Sequence, residues 1–421
     1  MKNKKILIIM PLLLFCILLL IYTLAIQTFP NNLILFQGEK INIGTIAGLQ
    51  LKDKKRGEKV ENYQAVQTSS QGESDVSTEI GNVDLELTLF GKLPVKDVNV
   101  NVIPKTTVIP VGDIVGLKLY TSGVLVVGMT EIEGENNIPY KPYENTDIKE
   151  GDMIVEMNKN EITCTADLIE AVNDSKGQTI DLKLVREGSI KESQITPAKT
   201  GKNEYKLGLW VRDAAAGVGT MTFYEPDTGM FAALGHGIVD IDTEKLIDIA
   251  KGEFVTASIQ DVIKGKKGEP GKIQGSIENQ TKLGEVYKNT NLGVYGKLTN
   301  SLPLNIQKRD ALEVAPREEI KLGKATILCT LENNQKKEYE VEIEKLYLNN
   351  NENNKSMLLK VIDPKLLEST GGIIQGMSGS PIIQNGKLIG AVTHVLVNDP
   401  TTGYGIFGDL MIKQLREVES K

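Results

Sequence analysis

Histidine is almost absent from this chain: there are two in 421 residues, His236 and His394. They are far apart and no cysteine pair accompanies them, which argues against a zinc site, and nothing in the pattern calls for a cofactor. Cysteine is as scarce, with Cys16, Cys164 and Cys329 only. Three are too few for a disulfide framework. The last two read as buried free thiols rather than nucleophiles, because neither has a flanking glycine motif. Basic charge is also lacking: 48 Lys and Arg stand against 55 Asp and Glu, for a net charge of −7. That removes the electrostatic footprint of a nucleic-acid-binding protein. Aromatic residues are few, with eight Phe and one Trp, whereas glycine numbers 40. This balance suits a turn-rich β protein better than a helical bundle.

Long hydrophobic runs are confined to one place. Lys2, Lys4 and Lys5 precede an uncharged apolar run from Ile6 to Ile26. As a helix it is long enough to span a bilayer core of roughly 30 Å. The lysines hold that end in the cytoplasm and place the rest outside. A signal peptide has a shorter apolar region, and Thr23-Leu24-Ala25 is a poor cleavage site. The expectation is an uncleaved anchor over residues 1–26, with membrane contact through 6–26.

Residues 27–103 read as an exposed linker with short strands. The stretch 52–82 is charged and then Ser/Gln/Glu-rich, a composition that buries little apolar surface. Alternation in Asp84–Phe90 and Val95–Val102 predicts half-buried strands. Over residues 104–200, strands are predicted at Val115–Tyr120, Val124–Met129 and Thr179–Arg186, and a helix with Thr165 as N-cap runs through Asp167-Leu168-Ile169-Glu170-Ala171-Val172. With Gly151-Asp152-Met153-Ile154-Val155-Glu156-Met157-Asn158, this order resembles a PDZ domain. PDZ domains bind extended peptide ends by adding a strand to a sheet edge. Val115, Gly116, Leu117 and Lys118 form the candidate carboxylate-binding loop, or else an ordinary hairpin turn. Residues 201–421 show recurrent short apolar runs between turn signals, the pattern of a sandwich or barrel. A helix-like segment is read at Thr243–Ala250.

The most informative stretch is Gly376-Met377-Ser378-Gly379-Ser380-Pro381, followed by a strand, Asn385-Gly386 and a second strand. Asn-Gly between apolar runs is a strong hairpin signal. A serine between glycines opening such a hairpin has the local architecture of a peptidase nucleophile. Serine needs a base to remove its proton, and the developing oxyanion needs preorganised N–H donors. The N–H groups of Gly376 and Ser378 are the candidates. His236, in Gly235-His236-Gly237, is the candidate base, and His394 reads as a sheet histidine near the groove. The acid stays open among Asp240, Asp242, Asp363, Asp399 and Asp409; Asp363 closes an apolar run, and Asp240 can cap the segment after it.

Together the anchor, the PDZ-like segment, Gly-His-Gly and Gly-Met-Ser-Gly-Ser-Pro resemble the stage IV sporulation protein B peptidases. The resemblance implies a mainly β chain: an N-terminal transmembrane helix, a PDZ-like α+β domain and a chymotrypsin-like double β-barrel peptidase domain. It implies a serine endopeptidase in the space between forespore and mother-cell membranes. Such an enzyme cleaves itself, within about 51–82 here, and then a regulatory subunit of an intramembrane metalloprotease complex at the membrane surface, triggering late sigma-factor activation. Ser378 matches the nucleophile, His236 the base and Asp363 the acid. The rivals are a general envelope quality-control protease and a PDZ adaptor that has lost activity.

Overall fold

The computed structural model describes residues 13, 16–17, 19–24, 26, 29–39, 49–54, 59–60, 80–135, 137–200, 204–277, 281–299, 302, 309–331, 336–348 and 354–419. Residues 19–24 are helical, but most of the 6–26 run lies outside the described residues. Among the described residues no helix is long and apolar enough to cross a membrane.

The first unit is a five-stranded sheet. Strands β1 (Asn32–Phe36), β2 (Leu49–Asp53), β3 (Lys59–Val60), β4 (Gly81–Leu89) and β5 (Leu93–Ile103) lie in the order β1-β5-β4-β2-β3. The predicted alternation places Leu85, Leu87, Val98 and Val100 on one face, fully buried in a core of their own. Residues 27–103 are thus more than the expected linker. The Ser/Gln-rich stretch of the expected linker, 61–79, lies outside the described residues.

Next come β6 (Thr107–Pro110) and β7 (Ile114–Met129). The two strands expected at 115–120 and 124–129 are one sixteen-residue strand shared between two units. A small α/β unit follows, with β8 (Ile132–Glu133), β9 (Pro139–Tyr140), β10 (Met153–Met157), β11 (Asn160–Glu161), helix α1 (Thr165–Asp174), β12 (Ile180–Arg186), β13 (Ser189–Ile195), β14 (Ala198–Lys199) and β15 (Tyr205–Lys206). Its sheet runs β13-β12-β10-β7, using the second half of β7. Leu168 and Val172, one turn apart on α1, bury against Val124, Ile154 and Leu182. The cap of α1 is Cys164 rather than Thr165. The Asp167 carboxylate reaches back to the N–H groups of Thr163 (2.9 Å) and Cys164 (3.1 Å), which satisfies donors the first turn leaves open.

The first barrel adds β16 (Leu209–Tyr224), β17 (Met230–Ala233), β18 (Ile249–Thr256), β19 (Ser258–Ile263), β20 (Lys272–Ser276), β21 (Lys282–Thr290) and β22 (Gly293–Leu298). It runs β7-β18-β21-β22-β17-β16 and closes because β16 also pairs with the first half of β7. The strand unit expected to belong wholly to residues 104–200 therefore gives half of β7 to this barrel, while β6 pairs with the end of β16. Its core includes Phe231 stacked on Phe254, ring centroids 4.2 Å apart. Residues 243–250 are not helical; they turn and enter β18.

After β23 (Leu312–Glu313), which pairs with β6, comes the second barrel. It comprises β24 (Gly323–Thr330), β25 (Lys336–Leu346), β26 (Met357–Val361), helix α2 (Pro364–Thr370), β27 (Pro381–Gln384), β28 (Lys387–Leu396) and β29 (Asp399–Phe407), and helix α3 (Gly408–Glu419) ends the chain's described part. It closes as β24-β25-β26-β29-β28-β27. Asn385 and Gly386, at φ 51° and 76°, form the tight turn between β27 and β28 that the sequence predicts. Two six-stranded barrels side by side leave a seam between them, and both glycine-flanked motifs lie in that seam.

Candidate active site

His236 follows β17. Leu234 and Gly235 both take positive φ (68° and 70°), which turns the chain sharply out of the strand. Glycine is required at 235 for a second reason. A Cβ there would meet Thr393 Cγ2 at 2.9 Å and Ile406 Cγ2 at 3.0 Å, both in the second barrel. The His236 Nδ1 lies 2.8 Å from Gly237 O. With its proton on Nδ1 in that contact, the ring keeps a lone pair on Nε2, the form a general base needs. Burial pushes the His236 pKa below its ordinary 6.5, so the ring is neutral at neutral pH.

Ser378 sits in a loop gripped by both barrels. Thr220 of β16 donates its N–H to Ser378 O (3.2 Å) and its hydroxyl to Gly376 O (2.7 Å). Gly379 donates to Val392 O (2.7 Å). The Met377 side chain between them is fully buried in the second barrel's core. The Ser378 hydroxyl donates to Thr393 O at 2.9 Å, and among the described residues no hydrogen bond joins it to His236. The N–H groups of Gln375, Met377, Gly379 and Ser380 are all engaged with backbone carbonyls, whereas no described residue accepts from Gly376 or Ser378. The two candidate oxyanion donors are thus the two left open.

Ser378 and His236 line one cleft of ≈ 1130 Å³ between the barrels. Its other lining includes Val218, Ile374, Thr393, His394 and Val397, and among the described residues it holds no Asp, Glu, Lys or Arg. His394, read from the sequence as a sheet histidine, lies on β28 beside the base: the two ring centroids are 5.3 Å apart. Its Nδ1 is buried and has no hydrogen-bond partner among the described residues. Burial, the nearby His236 and Lys355 push its pKa down to about 4.

Asp363 does not join them. It is the N-cap of α2, where its carboxylate accepts from the N–H groups of Lys365 (2.9 Å) and Leu366 (3.1 Å). A strand-end aspartate before a proline is well suited to that task, and here it is spent on the helix rather than on His236. The other candidate acids are engaged as well. Arg212 bridges Asp240 and Asp242. Asp399 accepts from both Thr401 and Thr402 hydroxyls, and Asp409 pairs with Arg317. None of the five lines the cleft. What stands behind His236 is the carbonyl of Gly237, a partner no sequence pattern announces.

Val115, Gly116, Leu117 and Lys118 are not a peptide-binding loop. They lie within β7, paired with β16 on one side and β18 on the other, and the first three are buried. Only Leu117 reaches the cleft lining. A strand with both edges paired has no donors or acceptors to offer a ligand.

Solved structures similar to parts of this chain include a PDZ domain of an SdrC-like protein from Listeria monocytogenes, at 16% identity over 21% of this chain and 87% of that one, with a TM-score of 0.17. A protease from M. tuberculosis in its active form matches at 13% identity over 48% of this chain and 74% of that one, TM-score 0.30. A serine endoprotease from Yersinia pestis matches at 14% identity over 48% and 58%, TM-score 0.29. Scores this low leave the two barrels to speak for the fold and the family match to speak for the chemistry. The model of SpoIVB peptidase S55 matches residues 203–412, which include Ser378, His236 and the described cleft lining apart from Leu117. Through those residues the chain belongs to the SpoIVB peptidase family, and it is a serine endopeptidase.

Proposed function

We propose that Ser378 is the nucleophile and His236 the general base of an acyl-enzyme mechanism. The observation that carries this is the shared cleft: a neutral imidazole with Nε2 free and a glycine-flanked serine, brought to one seam from two barrels. Rotation about the Ser378 χ1 moves the hydroxyl from Thr393 O toward His236. The serine then attacks the scissile carbonyl while His236 takes its proton. The open N–H groups of Gly376 and Ser378 receive the oxyanion. His236 returns the proton to the leaving amine, and water repeats the sequence on the acyl-enzyme. Gly237 O holds the tautomer in place of a carboxylate. The uncharged lining of the cleft favours an uncharged stretch of substrate.

The biological reading follows the family: a peptidase anchored through residues 6–26 and facing outward between forespore and mother-cell membranes. It cleaves itself within about 51–82 and then a regulatory subunit of an intramembrane metalloprotease complex during sporulation. Peptide capture by the PDZ-like unit is assigned to the outer edge of β16 at Leu209–Arg212. That edge pairs with no strand among the described residues and runs beside α1, with Trp210 exposed.

The full chain and its Ser378→Ala variant decide the central claim. Self-cleavage and labelling by a fluorophosphonate are both expected to vanish in the variant; persistence of either means another residue does the chemistry. Broad digestion of casein by the wild-type chain favours a quality-control protease instead.

A further inference from the structure

The peptide unit that precedes Gly376 is held by a hairpin from the opposite barrel. Strands β19 and β20 are inserted between β18 and β21 of the first barrel, yet they dock on the nucleophile loop of the second. Ile273 in β20 donates its N–H to Gln375 O at 2.8 Å, and Gln375 donates its own N–H to Gly271 O at 2.8 Å. Lys272 and Gln375 thereby form an isolated parallel bridge. Further bonds tie the connection between β19 and β20 to the same region: Gly265 N–H to Thr370 O (2.8 Å), Gly268 N–H to Val397 O (2.9 Å) and Lys264 Nζ to Glu368 O (2.6 Å).

The consequence lies in peptide geometry. In a trans peptide the carbonyl and the following N–H point to opposite sides. Fixing Gln375 O toward Ile273 therefore aims the Gly376 N–H away from β20. That N–H is one of the two in the loop that no described residue accepts, and Gly376 lines the cleft. Turning the same peptide half over would present the Gln375 carbonyl where an oxyanion must sit. The fit leaves no slack: a Cβ on Gly376, whose φ is 97°, would meet Ile273 Cβ at 2.9 Å.

We propose that Ile273, through its backbone N–H, and Gly271, through its carbonyl, are positioning residues that set Gly376 as an oxyanion donor. The assignment rests on the reading of Ser378 as nucleophile. It also means that the barrel carrying His236 supplies the clamp for the oxyanion hole of the other barrel, so base and hole are set together when the barrels dock.

Ile273→Pro in the full chain deletes the N–H given to Gln375. The probe is a fluorophosphonate, with the limiting labelling rate and the half-saturating concentration measured separately. The limiting rate is expected to fall about 100-fold or more, the cost of losing one oxyanion donor, while half-saturation and the thermal unfolding midpoint stay near wild type. Ile273→Val keeps the N–H and retains the rate. Should proline unfold the hairpin, Gly271→Ala makes the same decision, since its Cβ would meet Ile263 O at 2.3 Å and Ile374 Cγ2 at 2.8 Å and displace the clamp. A rate-only loss in the folded variant supports the inference; a wild-type rate, or a loss confined to half-saturation, overturns it. Labelling that survives Ser378→Ala defeats the serine reading itself. Labelling that needs Ser378 but ignores residue 273 defeats only the clamp.

Discussion

The imidazoles of His236 and His394 face each other across the seam between the barrels, ring centroids 5.3 Å apart and planes tilted by 43°. Both rings have pKa values lowered first by burial, and His394 is lowered further by the charge His236 acquires and by Lys355. Among the described residues no carboxylate offsets this. The base thus stays neutral to lower pH than a free imidazole, and the acid limb of the fluorophosphonate labelling rate is expected below pH 6.5. His394→Asp sets an opposite charge beside His236, which favours the imidazolium, so the limb is expected to move upward. A pH profile of wild type and variant measures both. Stability has the same sign. The unfolded histidines bind protons near 6.5, whereas folded His394 resists until about 4. Stability is therefore full above the unfolded value and is lost as pH falls through that window. Thermal midpoints across it check this.

Asp363 offers a sharp contrast between two roles. As the cap of α2 its loss in Asp363→Ala is expected to cost about 0.5–2 kcal/mol of stability, read from denaturant unfolding, and Asp363→Asn keeps a capping oxygen and costs less. As the acid of a triad, its conversion to Asn would instead cut the rate roughly 10⁴-fold. The labelling rate of the Asn variant is expected to stay close to wild type.

Arg317 and Asp409 form a buried pair that joins the turn before β24 to the first turn of α3. Two contacts, at 2.6 and 3.0 Å, make it bidentate. Removing one partner strands the other charge, so Arg317→Met is expected to cost about 3–5 kcal/mol, whereas Arg317→Met with Asp409→Leu recovers much of the loss. Unfolding midpoints of the single and double variants test this.

Arg212, in β16, ties that strand to the loop just past His236. Its guanidinium bridges Asp240, whose side chain is almost wholly buried, and Asp242 at 2.7 Å. On the next residue, Asp213 accepts the N–H of Thr165 at the start of α1 (2.6 Å). Arg212→Ala leaves the Asp240 carboxylate with fewer partners, an expected cost of about 1–3 kcal/mol. The loop it frees carries Gly237, so the labelling rate falls as well. Arg212→Lys is expected to restore stability only in part, since one ammonium cannot hold two carboxylates in fork geometry.

Much of the seam was legible in the chain. Asn385-Gly386 announces its hairpin because both residues accept positive φ. Gly235 and Gly237 mark the turn that carries His236, and the structure adds that it is crowded: a Cβ at 237 would meet Leu246 Cδ1 at 2.3 Å. Alternation in β4 and β5 announces a sheet. The Val115–Lys118 reading failed because an apolar strand buried on both edges and a loop ahead of a strand look alike in sequence. The Asp363 reading failed because a strand-end carboxylate serves a helix or a histidine equally well until its neighbours are known.

Local sequence determined which residues can do chemistry here: one serine set between glycines and a histidine drawn from a pool of two. Side-chain type and glycine placement are properties of short stretches, so they survive without a fold. Tertiary structure decided what stands around them. Gly237 O behind His236, His394 beside it, and Ile273 behind Gln375 are contacts between residues brought together by strand pairing and barrel docking. Backbone carbonyls and N–H groups are common to every residue, so no residue type marks the ones that orient a base or aim an oxyanion donor.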